Sequence, residues 1–213
     1  MLEKRLEPLS IEKKPGGNQK VLKDMWMRLG GCAAITACDI ALFFAIHRKI
    51  PEMLPQKVAQ AIERPWDSDL ASIGDDIYVE FSRYMKNYLR PRLQGINTLD
   101  LYLDGVGRYY QDLGVGRIHM EGLSGNASYE EYEATVRRQL DEGYPIPYLM
   151  LRHKDKGLAD FTWHWFWLNG YREDEDGFEV SLVTYGAEFT FSLYRLWNTG
   201  FEKKGGLILY KIV

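Results

Sequence analysis

The run CAAITACDIALFFAI, from Cys32 to Ile46, constrains this chain more than any other segment. Its 15 residues contain no Gly or Pro and a single charge, Asp39. A membrane span needs about 20 apolar residues, so the run is too short to cross a bilayer. It predicts a buried helix instead. Gly30-Gly31 supply a tight turn into it, which puts Cys32 in the first helical turn. With 213 residues, 46% of them hydrophobic and 14% aromatic, there is ample material for one well-buried core, and global disorder is excluded.

Around that helix the pattern divides in two. Residues 1 to 20 carry Pro8, Pro15, Gly16 and Gly17 with no sustained period and read as an extended or loosely attached arm; residues 21 to 213 read as one domain. Helical patterns follow over Gln56 to Glu63, Asp75 to Tyr88 and Thr98 to Leu113, the last two opening on N-cap residues. Ser128 to Glu131 forms a capping box for a helix ending before Gly143. Beyond it the chain reads as strands, over Ile146 to Arg152, Phe161 to Tyr171, Phe178 to Thr184, Glu188 to Phe191 and Gly206 to Val213. The acidic, glycine-ended segment Arg172 to Gly177 is a hairpin connection between the second and third. Helices first and antiparallel strands second make an α+β fold.

Several function classes fall away. A formal net charge of −3 lacks the basic footprint of a nucleic-acid binder. The two cysteines, Cys32 and Cys38, are six residues apart and turned about 240° from each other on a helix, which excludes a disulfide framework and a CxxC redox or zinc pair. The first residues alternate charges with single apolar side chains and show no secretory signal, so a cytoplasmic location is expected.

Cys32 is the first candidate for chemistry. A cysteine at a helix N-terminus meets unsatisfied backbone N–H groups and the positive end of the helix dipole, both favouring thiolate, so a depressed pKa is expected. The competing use is as a small apolar filler beside Ala33 and Ala34, and Cys38, inside the helix, has only that use. His164 interrupts the aromatic stretch FTWHWFW, where strand alternation places Trp163, Trp165 and Trp167 on one face and His164 on the other. An imidazole there requires a hydrogen-bond partner or a cleft. Asp39, seven residues after Cys32 and nearly on the same helix face, is expected to hydrogen-bond a loop. Gly105-Val106-Gly107 follows no strand and reads as a packing contact or kink, not a dinucleotide loop.

His164 lies 132 positions after Cys32, a spacing close to the 130 to 150 or so of papain-type enzymes. Gly31-Cys32-Ala33-Ala34 opening a helix, Gly143-Tyr144-Pro145-Ile146-Pro147 entering a strand, His164 to Tyr171 (HWFWLNGY) and Thr184-Tyr185-Gly186 resemble the papain-like cysteine peptidase superfamily, in particular its bacteriocin-leader-processing, double-glycine group. The resemblance implies a papain-like fold and thiol-dependent hydrolysis of peptide or amide bonds, with Cys32 as nucleophile and His164 as general base and then acid. It implies a peptide or protein substrate and no metal or organic cofactor. The chain departs from the family pattern at three positions. Ala33 follows the nucleophile where Gly is usual; Trp26 stands where the oxyanion Gln is expected, leaving its indole N–H and the Cys32 backbone N–H as donors; and Val183 aligns with the orienting Asn. Thr184 reaches the ring only if the register shifts, and Asn169 and Asn198 are further polar candidates. These departures keep a second function class open, a catalytically silent domain that binds a peptide or protein partner in the same cleft.

Overall fold

A computed structural model describes residues 2–62, 72–91, 95–175 and 177–213. The apolar run forms the central helix. In chain order the elements begin with three short strands, β1 (Leu2–Arg5), β2 (Ser10–Ile11) and β3 (Lys14–Pro15), then the helices α1 (Met25–Gly30), α2 (Cys32–His47) and α3 (Gln56–Gln60). Next come β4 (Ser72–Ile73), α4 (Asp75–Met85), α5 (Leu99–Asp112), β5 (Ile118–Ser124) and α6 (Tyr129–Asp141). The remainder is β6 (Ile146–Met150), β7 (His164–Asp174), β8 (Gly177–Thr184), β9 (Ala187–Ser192), α7 (Leu193–Trp197) and β10 (Gly206–Ile212). This is an α+β arrangement. Every α2 residue from Cys32 to Ile46 is buried, as expected of a helix apolar on all sides.

The main sheet runs β5-β10-β6-β7-β8-β9, each neighbouring pair antiparallel. β7 is its spine: β6 covers one edge from His164 to Leu168, and β1 continues along that edge from Gly170 to Glu173. A bulge between Leu168 and Gly170 separates the two partners. Asn169, at that bulge, donates from Nδ2 to the Leu6 carbonyl and accepts the Leu6 N–H through its own carbonyl, tying down the first residues. The N-terminal arm is therefore extended but not loose. Leu6, Leu9 and Ile11 are buried, and β2 pairs with both β3 and β4. The sequence offered no period there because each of these strands is only two to four residues long.

The expected helices and strands are present with moved ends. The helix expected from Gln56 to Glu63 is seen to Gln60, and Glu63 lies outside the described residues. Asp174 pairs with Gly177 at the acidic hairpin, whose Asp176 is likewise outside them. α5 runs unbroken through Gly105, where an added Cβ would lie 2.6 Å from Leu89 Cδ2 and 2.8 Å from the Tyr88 carbonyl. Close packing is thus its use. The second strand begins at His164 rather than Phe161, because residues 156–161 form a 3-10 turn and Trp163 adopts φ +52°.

Candidate active site

Cys32 opens α2, as the paired glycines predict. Gly31 is its N-cap, and an added Cβ there would lie 2.3 Å from the Met27 carbonyl of α1, so only glycine lets the two helices join so closely. Backbone N–H groups near the thiol, that of Trp165 foremost, favour thiolate. Burial outweighs them. The Cys32 pKa is raised, against the depressed value that helix-end placement predicts.

His164 is buried, and its Nε2 is hydrogen-bonded to Thr184 Oγ1 at 2.7 Å. In the tautomer that donates Nε2–H to that hydroxyl, Nδ1 keeps its lone pair. Tyr185 stacks on the imidazole at 4.5 Å between ring centres, interplanar angle 12°, and Lys20 Nζ sits 4.2 Å from the centre of the tyrosine ring. Burial first, and Lys20 second, pull the His164 pKa down to about 3. The Tyr185 hydroxyl is pushed up to about 12, first by burial and then by the Cys32 charge. At neutral pH the resting pair is a thiol and a neutral imidazole.

The register explains Thr184. Val183 pairs with Trp167 and is buried, so Thr184 comes opposite Phe166 and points to the face that carries His164. Thr184, Tyr185, Gly186 and Ala187 form a two-residue hairpin with φ +56° at Tyr185 and +71° at Gly186, a type I′ turn. That turn lays Tyr185 over the imidazole. The two asparagines do not serve: Asn169 is spent on the arm and on Glu188, and Asn198 is exposed beside Tyr194.

Trp26, on α1, lines the same cleft of about 470 Å³ as Cys32, together with Leu29, Ile96, Leu151, Arg152 and Trp163. Its side chain is half exposed. Trp163 does not share a buried face with Trp165 and Trp167; it precedes the strand, its positive φ turns the indole outward, and it is 47% exposed where they are about 1%. Sequence alternation missed this because alternation holds only inside the strand.

Asp39 does bind a loop. Its carboxylate accepts the Gly17 N–H at 3.0 Å, the Tyr78 hydroxyl at 2.6 Å and Trp167 Nε1 at 3.3 Å. Burial, opposed by those bonds, raises its pKa to about 6. Cys38 is buried within α2, and burial raises its thiol well above the usual range. Sequence reasoning gave Tyr185 only its place in the Thr184-Tyr185-Gly186 motif and passed over Lys20, because stacking across a turn leaves no mark in local pattern. Among the described residues no group of three or more His, Cys, Asp or Glu is placed to hold a metal ion, and no helix is long and apolar enough to cross a membrane. No protein-family model, curated protein or solved structure matches this chain.

Proposed function

We propose that this chain is a papain-like cysteine peptidase, or a closely related thiol acyl-transfer enzyme, acting through Cys32 and His164. The observation that carries the reading is the pairing of a cysteine that opens α2 on the wall of a cleft with a buried histidine whose Nε2 is held by Thr184 at 2.7 Å. Because the pair rests uncharged, the thiol proton passes to His164 Nδ1 as sulfur bonds to the substrate carbonyl carbon. The oxyanion forms next to the Cys32 backbone N–H, and the Trp26 indole N–H on the cleft wall is the second donor in this reading. Collapse of the tetrahedral intermediate breaks the C–N bond, and the imidazolium returns its proton to the leaving amine. Water, deprotonated by the same imidazole, then hydrolyses the thioester and restores the thiol.

The low basicity of His164 favours slow turnover. The same neutral pair also supports the second reading, a cleft that binds a peptide without cleaving it. Digestion of a peptide library by wild type, Cys32→Ala and His164→Ala separates the two. Cleavage that vanishes in both variants supports the enzyme. Cleavage that survives Cys32→Ala refutes it, and equal peptide binding without cleavage by wild type and Cys32→Ala supports the silent cleft.

A further inference from the structure

The cleft at Cys32 does not end at Trp163. A second cavity, of about 580 Å³, shares Leu151, Arg152 and Trp163 with it and continues to Lys154, Phe201 and Lys203. The shared wall is held together by its own contacts: the Trp163 N–H donates to the Leu151 carbonyl at 2.7 Å, and the Arg152 guanidinium lies 5.7 Å from the centre of the indole. The two halves differ in chemistry. Near the thiol the lining is apolar, with Trp26, Leu29, Ile96, Leu149 and Leu151, and Leu29 is 72% exposed. Beyond Trp163 the charged lining residues are Arg152, Lys154 and Lys203 against Glu202.

Three cations against one carboxylate is a local excess of positive charge on a chain whose net charge is −3. Among the described residues none of the three cations has a carboxylate at ion-pair distance, whereas the nearby Arg195 is paired with Asp155 at 2.7 Å. The Lys154 backbone N–H bonds the Thr199 carbonyl at 2.9 Å, and its ammonium lies 5.6 Å from the centre of the Phe201 ring, which positions it on the groove wall.

We propose that this double groove receives an extended peptide, with an apolar side chain between Trp26 and Trp163 beside Cys32 and an acidic side chain over Arg152, Lys154 and Lys203. The inference rests on the acyl-transfer reading of Cys32 and gives that site its substrate class. Two cavities joined along one wall suit an extended chain better than a compact ligand, and the sign of the charge selects an acidic residue at the outer end.

Binding measured on the full chain carrying Cys32→Ala tests the groove without depending on catalysis. Fluorescein-labelled hexapeptides with one Leu and one Asp, Asn or Lys, spaced one to three residues apart in both orders, are titrated by fluorescence polarisation. The best Asp peptide is expected to bind about tenfold tighter than its Lys counterpart, a ratio that shrinks between 50 and 500 mM NaCl as salt screens the exposed charges. Combining Arg152→Gln, Lys154→Gln and Lys203→Gln abolishes the ratio, while Trp163→Ala weakens Asp and Lys peptides alike; circular dichroism of each variant confirms folding. Equal affinity for Asp and Lys peptides, no binding at all, or a preference that survives the triple variant overturns the proposal. Acidic-peptide selectivity in Cys32→Ala alongside uncleaved peptides in wild type overturns the peptidase reading alone.

Discussion

Replacing Thr184 by Val is the sharpest test of how His164 is held. Valine is close in volume and shape, so packing at this buried position is nearly kept and the hydroxyl alone is lost. The 2.7 Å bond to Nε2 goes with it, leaving a ring nitrogen that is itself buried without that partner. An orphaned buried donor costs about 1 to 3 kcal/mol. In a chain of 213 residues that corresponds to a fall in melting temperature of roughly 2 to 4 °C per kcal/mol. The functional loss follows from the same figure. Thr184 anchors the ring through Nε2, and surrendering 1.4 kcal/mol of that anchoring costs about tenfold in the productive population. The assay is the second-order rate of Cys32 modification by a peptide carrying a thiol-directed electrophile, read by intact mass and set beside a thermal melt. Thr184→Val is expected to react about tenfold more slowly and Thr184→Ser at close to the wild-type rate. A Val variant that melts earlier but reacts at the wild-type rate refutes the positioning role, as does a Ser variant no better than Val.

Four further outcomes follow from the same geometry. Alkylation of Cys32 by iodoacetamide is expected to rise only at alkaline pH, because burial raises the thiol pKa, with Cys38 slower still; peptide mass mapping across pH reads both, and labelling of Cys32 at mildly acidic pH refutes the neutral resting pair. Lys20→Gln removes a charge that depresses His164, so imidazole basicity and the rate of electrophile attack are expected to rise, about two- to fivefold given that Lys20 is exposed. The unfolded imidazole protonates near pH 6.5 and the buried one near 3, so the unfolded state binds more protons across that window and stability is lost as pH falls through it, by at most about 5 kcal/mol; His164→Asn should flatten that acid limb in urea titrations. Asp39 has the opposite sign: its folded pKa of about 6 lies above the unfolded 3.8, so its contribution declines as pH rises between those values, by at most about 3 kcal/mol, and the urea titrations of Asp39→Asn should lack that decline.

What the sequence discloses, and what it hides, divides along physical lines. α2 was legible because a helix buried on every side needs apolar residues throughout, and its start was legible because Gly31 must pass close to Met27. β6 to β10 were legible from β-branched and aromatic runs between turn residues. α1 and α7, of six and five residues, are too short for a period to show. The pairing of β1 with β7 joins residues about 170 apart and is set by the bulge at Asn169, which no local pattern announces. In the site, Cys32 and His164 stand out as residue types in unusual company. Thr184 carries no such mark, since its part depends on Val183 taking the register position opposite Trp167. The pKa of Cys32 was misjudged for a related reason: helix-end placement is local and visible, whereas burial comes from segments distant in sequence.

The helix that opens on Cys32 and the strand that opens on His164 are tied together at Asp39. Cys32 and Asp39 are seven residues apart, about 10.5 Å along α2, while His164 and Trp167 are three apart, about 9.9 Å along β7. The Trp167 indole N–H meets the Asp39 carboxylate at 3.3 Å. A slip of one residue in β7 would move that donor by about 3.3 Å and turn Trp167 to the opposite face. Asp39 gathers further donors from the N-terminal arm and from α4, so four segments converge on one buried carboxylate. The arm then reaches the hairpin, where the Gly17 carbonyl accepts the Gly186 N–H at 3.2 Å beside Thr184 and Tyr185. Gly17 thereby bonds α2 through its N–H and the turn that holds His164 through its carbonyl. Asp39, two helical turns from Cys32, thus joins α2 to the strand that opens on His164 and, through Gly17, to the hairpin whose Thr184 holds the imidazole.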